Sequence, residues 1–81
     1  MGEQKIKQDR SFLAENLKRL RNSHNLTQEQ IVARMQLKGC VLSRSNYSKI
    51  ELGIYAIRLS ELEALRDIYN ISYDEFFIHK K

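Results

Sequence analysis

No proline interrupts these 81 residues. Without that fixed-φ breaker, a chain can run as helix wherever its apolar residues recur at helical spacing. They do so repeatedly. Leu13, Leu17 and Leu20 lie four and then three apart, with Phe12 beside them; Ile31, Val32 and Met35 repeat the pattern, as do Leu62, Leu65, Ile68 and Tyr69. The spacing predicts an all-α chain.

Start and stop signals divide it into five helices. The first runs from near Ser11 to about Asn22, with Lys18, Arg19 and Arg21 in its last turns, where positive charge suits the helix dipole. Thr27 and Gln30 form a capping box for the second, with Leu26 and Ile31 as its hydrophobic staple, and Gly39 stops it just after Lys38. Ser43 caps the third, stapled by Leu42 and Tyr47 and ended at Gly53. Its inward residues are Tyr47 and Ile50, and its outward ones Arg44, Ser45, Ser48 and Lys49. Ser60 with Glu63 is read as opening the fourth, and Ser72 with Glu75 as opening the fifth, stapled by Ile71 and Phe76. The expected architecture is a compact five-helix bundle over residues 9–79. Residues 1–8, polar and without periodicity, are expected to form a flexible arm.

This length suits one domain that buries roughly 60% of its unfolded surface. No apolar run approaches the roughly 18–20 residues that cross a bilayer, and the leading MGEQKIKQDR lacks the apolar stretch of a signal peptide. Ile6 stands where an N-myristoylation motif wants Ser or Thr. A soluble cytoplasmic protein with no membrane association is expected. Cys40 has no second cysteine to pair with, which fits a reducing compartment, and its neighbours Gly39 and Val41 suggest a small apolar filler. With His24 and His79 far apart, no convergent metal-ligand set is formed. No nucleophile and base come at catalytic spacing either. The sequence therefore predicts no enzyme, no cofactor and no small-molecule substrate.

Charge is more informative than its net value of +4. Within residues 16–50, Lys18, Arg19, Arg21, Arg34, Lys38, Arg44 and Lys49 face Glu29 alone, for +6. Within residues 59–79, Arg66 faces Glu61, Glu63, Asp67, Asp74 and Glu75, for −4. That split suits a domain with one side turned to a polyanion, although charge alone describes a solvated basic surface equally well. The short link between the second and third helices adds geometry. In a helix-turn-helix the second helix of the pair lies in the major groove with its first residues against base edges. Arg44 can donate two hydrogen bonds to guanine O6 and N7, Lys49 can reach a base or a phosphate, and Ser45 can bond several base edges.

The blocks NLKRLRNSHNLTQEQIVARM, LSRSNYSKIELG and LSELEALRDIYNISYDEFF together resemble the phage-repressor/Cro-like (XRE-type) helix-turn-helix family, in family order over about four-fifths of the chain. The resemblance implies five helices and a role in transcriptional control. It implies that Arg44, Ser45 and Lys49 read bases, that Gln28 clamps a phosphate from the start of the second helix, and that Arg21 and Glu51 form a structural ion pair. It places Tyr55 and Arg58 where the fold approaches the sugar-phosphate backbone. Asn46 is read as orienting Arg44 or binding phosphate. Two departures stand out. Val32 occupies a position where the family usually has a small residue, and the link carried by residues 36–42 is about five residues longer than the family pattern. An added turn on the second helix, ending at Gly39, absorbs the excess and can bring Lys38 to a phosphate.

Phe76 is expected to cap the core, leaving Tyr73 or Phe77 for a symmetric dimer contact, since paired recognition helices read half-sites roughly 34 Å apart. The function expected is sequence-specific binding of double-stranded DNA by a small homodimeric repressor at an operator. The alternative is an antitoxin or protein-interaction module on the same fold, its basic face incidental.

Overall fold

A computed structural model describes residues 10–78. The expected arm at residues 1–8, both ends of the 9–79 span and His79 lie outside the described residues. Four α-helices follow one another: α1 (Arg10–Ser23), α2 (Gln28–Leu37), α3 (Arg44–Glu51) and α4 (Leu59–Tyr69), and then a short 3-10 helix at Tyr73–Phe77. Among the described residues there is no strand.

Every α-helix ends in the same way. Just past each helix one residue turns left-handed: Asn25 (φ 58), Gly39 (φ 97) and Gly53 (φ 78) stand second beyond α1, α2 and α3, and Asn70 (φ 57) stands first beyond α4. The next amide then reaches back five residues, Leu26 to the Arg21 carbonyl, Cys40 to Met35, Ile54 to Lys49 and Ile71 to Arg66. This is the Schellman arrangement, which satisfies carbonyls that the last turn would leave unpaired. Only glycine takes a positive φ without steric cost, which accounts for Gly39 and Gly53. Asparagine tolerates it better than most side chains.

The starts differ more. At α2 the Thr27 hydroxyl accepts from the Gln30 amide and the Gln30 side chain accepts from the Thr27 amide, a complete capping box. At α3 the Ser43 hydroxyl accepts from the Asn46 amide. Helix α4 corrects the sequence reading. Its cap is Arg58, not Ser60, and the Glu61 carboxylate, not Glu63, accepts from the cap amide at 2.9 Å. A guanidinium offers no acceptor, so only this half of the box forms. Ser60 falls inside the first turn.

The expected fifth α-helix is instead the 3-10 helix, and the Ser72 side chain makes no cap bond. The physical reason lies in α1. Asn16, buried at 3% exposure, donates through Nδ2 to the carbonyls of Phe76 (2.8 Å) and Ile78 (3.0 Å), and Arg19 donates to that of Glu75 (3.3 Å). Tied at its end to α1, the five-residue segment closes one tight turn, with the Glu75 amide bonded to the Ser72 carbonyl.

Packing pairs α1 with α3 and the 3-10 helix, and α2 with α3 and α4. The shared core holds Leu17, Leu20, Ile31, Val32, Met35, Leu42, Tyr47, Ile50, Leu62, Leu65, Tyr69 and Phe76, with Leu13, Leu26, Cys40, Ile68 and Tyr73 packed against it. Between α2 and α3 the chain runs on from Gly39 with Leu42 turned in, its carbonyl accepting from the Gln36 amide group at 2.9 Å. Leu37 and Val41 are left at 88% and 91% exposure on either side of that turn.

Candidate nucleic-acid interface

Helix α3 is held by its inner face. Tyr47 is fully buried, Ile50 nearly so, and at the helix end Glu51 turns inward as well. A carboxylate placed there needs compensation, and it receives four hydrogen bonds. Arg21 grips it in two places, Nε on Oε2 (2.7 Å) and Nη2 on Oε1 (2.9 Å). The Tyr47 hydroxyl donates to Oε2 (2.6 Å) and the Gln28 side-chain amide to Oε1 (3.1 Å). The remaining Arg21 nitrogen donates to the Leu26 carbonyl (2.9 Å). The Arg21–Glu51 pair thereby ties together α1, the α1–α2 turn, the first residue of α2 and α3.

Charge follows from this geometry. Burial pushes the Glu51 carboxyl upward, but the bonds from Arg21, Tyr47 and Gln28 outweigh it and hold the group below its ordinary value. The bond to Glu51 holds the Arg21 guanidinium above its own, against some desolvation. Burial drives the Tyr47 phenol well above its usual range, reinforced by its bond to Glu51. Burial does the same at Tyr69, whose hydroxyl is enclosed and feels the charge of Glu51. The Arg21–Glu51 pair is thus present, and Tyr47 and Gln28, which the sequence reading does not link to it, complete the network. Tyr47 and Glu51 stand four apart on one helix, a spacing that could have signalled their bond. For Gln28 the sequence carried no signal.

With its inner face fixed, α3 turns its start outward. Arg44, Ser45 and Asn46 are exposed, and Ser48 and Lys49 are half-buried. Two clefts flank the helix. On one side Arg44 lines a cleft with Arg21, Thr27 and Gln28, at the start of α2. On the other, Asn46 lines a cleft with Val41, Tyr55 and Arg58, against the α3–α4 loop. The structure thus gathers Gln28 and Arg44 on one flank and Asn46, Tyr55 and Arg58 on the other. Lys49 lies beside Tyr55, its ammonium 5.2 Å from the ring centroid.

Lys38 stands apart from Gln28, at the opposite end of α2 and about 15 Å away along the axis, with its ammonium 3.9 Å from Asp67 of α4. At the far end of the chain Tyr73 is half-buried, with the Arg66 guanidinium 4.9 Å over its ring, whereas Phe77 is 45% exposed. His24 stacks on Tyr69 at 4.5 Å between centroids, with Nδ1 2.8 Å from the Leu20 carbonyl. Among the described residues no group of three His, Cys, Asp or Glu is placed to hold a metal, and no helix is long and apolar enough to cross a membrane.

A family model described as helix-turn-helix matches residues 17–76, which take in the end of α1, all of α2, α3 and α4, and most of the 3-10 helix. Comparison with curated proteins and with solved structures finds no match.

Proposed function

The chain belongs to the XRE-type helix-turn-helix family and is a DNA-binding transcription regulator; within that role, we propose that it is a small repressor that reads an operator with the start of α3, as a homodimer. One observation carries the reading. The first turn of α3 exposes Arg44, Ser45 and Asn46 side by side, while the same helix buries Tyr47, Ile50 and Glu51. A helix fastened along one face and polar along the other is what a major groove can accept.

In this reading Arg44, Ser45 and Lys49 face base edges. Gln28, Asn46 and Arg58 meet phosphates from the two flanking clefts, and Tyr55 approaches the backbone beside them. Gln28 keeps one amide hydrogen beyond its bond to Glu51, so a phosphate contact there would be coupled to the ion pair that holds α3. Lys38 can add a phosphate contact through its ammonium, whose charge Asp67 partly offsets from 3.9 Å. Phe77 supplies exposed apolar surface for the second subunit, with Tyr73 at its margin.

Selecting bound sites from random duplexes tests this directly. The expected result is a two-fold symmetric motif, with half-sites about one helical turn apart. Arg44→Ala should lose the preference at one base pair per half-site, a discrimination of about 1–3 kcal/mol. A motif unchanged by Arg44→Ala refutes the role of α3. An affinity that hardly varies with salt, together with stable co-purification with a protein, points instead to an antitoxin or interaction module.

A further inference from the structure

We propose that Tyr55 is a positioning residue for Lys49, its ring fixing where the ammonium stands before any duplex arrives. The proposal rests on the reading of α3 as the groove helix, and it assigns the contribution of Tyr55 to its ring rather than its hydroxyl.

Two independent features join residue 55 to residue 49. The first is backbone. Gly53 turns the chain left-handed at the end of α3, and the amides of Ile54 and Tyr55 both donate to the Lys49 carbonyl, at 2.9 and 3.2 Å. Two donors on one acceptor fix the loop to that point of the helix. The second is side chain. The Lys49 ammonium lies 5.2 Å from the centroid of the Tyr55 ring, within the roughly 6 Å over which a ring face attracts a cation.

What makes the arrangement useful is the contrast with Lys38. Asp67 stands 3.9 Å from the Lys38 ammonium and offsets part of its charge. Among the described residues no carboxylate pairs with Lys49. An aromatic face restrains an ammonium without neutralising it, so Lys49 keeps its full charge for a base edge or a phosphate. Lys49 is half-buried, unlike the exposed Arg44. Lysine otherwise brings a flexible four-carbon arm to the groove, and the ring removes much of that freedom in advance.

The experiment uses the duplex recovered by selection and the base pair whose preference Lys49→Ala abolishes. Tyr55→Leu should reduce that preference about two- to fivefold, and Tyr55→Phe should retain it. In a Lys49→Ala background Tyr55→Leu should add nothing at that base pair. In the unbound wild-type protein, the Lys49 ε-methylene protons should show an upfield ring-current shift, retained in Tyr55→Phe and absent in Tyr55→Leu. The proposal is overturned by a missing shift in the wild type, by Tyr55→Phe losing as much as Tyr55→Leu (a hydroxyl contact to phosphate), or by a Tyr55→Leu effect that persists without Lys49. If the wild type selects no motif at all, the reading of α3 fails, and the role of Tyr55 in recognition fails with it whatever the ring-current shift shows.

Discussion

Replacing Glu51 with glutamine removes a charge while keeping the side chain's shape, and its cost can be worked from the bonds it receives. Arg21 meets one oxygen through Nε and the other through Nη2, so whichever oxygen becomes an NH2 group, at least one guanidinium N–H faces a donor. Tyr47 can rotate its hydroxyl to accept, but Arg21 has no such freedom. The side chains of Arg21 and Glu51 are 11% and 3% exposed, so water does little to relieve the loss. Removing one partner of such a pair costs about 3 kcal/mol or somewhat more. A domain of this length has roughly 4–12 kcal/mol in total, so Glu51→Gln should fold with a melting temperature lower by roughly 12–24 °C. Urea denaturation should show a lower midpoint at unchanged slope. Acid supplies a second check. The folded carboxyl titrates below its ordinary value of 4.5, so its stabilisation is complete above about pH 4.5 and is lost as pH falls through the lowered value. The stability gap between wild type and Glu51→Gln should therefore be widest near neutrality and close in acid. A gap under about 1 kcal/mol at pH 7, or one that stays constant into acid, would show that this carboxylate does not anchor α3.

Three further outcomes follow from single features. Gly39 has φ 97 and nothing within 4 Å of where a Cβ would stand, so Gly39→Ala should cost about 1 kcal/mol by backbone strain alone, and Gly39→Asn less, both read by denaturant midpoint. If Lys38 leaves Asp67 for a phosphate, Lys38→Ala should weaken all duplexes alike and flatten the slope of log affinity against log salt by about 0.9, while Asp67→Ala should strengthen binding; unchanged slopes in both variants remove Lys38 from the interface. Arg44→Ala and Ser45→Ala should alter stability by no more than about 0.5 kcal/mol, since both side chains are exposed and neither makes an ion pair or side-chain hydrogen bond among the described residues; a larger loss in thermal melts would mean that they hold the fold.

The features legible in the sequence are those whose partners lie within one helical turn. Thr27 and Gln30 stand three apart and do cap each other, and Gly39 and Gly53 mark two helix ends because a positive φ favours glycine so strongly. The same grammar misled at Ser60 and Glu63. Glu61 stands three residues after Arg58 just as Glu63 follows Ser60, and the pattern cannot say which carboxylate folds back onto the backbone; the choice falls on Glu61, itself only 6% exposed. At Ser72 and Glu75 the misleading signal had a distant cause, since the bonds that shape the segment come from Asn16, sixty residues from Phe76. Arg21 and Glu51, thirty residues apart, are linked in the sequence only through a family resemblance. Spacing alone does not connect them.

The network around Glu51 also explains how so small a domain can leave the start of α3 unencumbered. Its anchoring groups lie at the other end of the helix or beneath it: Tyr47 and Ile50 in the core, Glu51 on Arg21, the Lys49 carbonyl on the α3–α4 loop. None of these uses the side chains of Arg44, Ser45 or Asn46. An eight-residue helix is about 12 Å long, so restraints at its end and along one face fix the direction of its first turn as well. In the proposed reading, stability and recognition therefore draw on different side chains of one helix. Gln28 would serve both, since it bonds the carboxylate that holds α3 and lines the same cleft as Arg44. A phosphate bound there would pull on the amide that steadies Glu51, making the start of α2 the point at which DNA contact and the posture of α3 are mechanically joined.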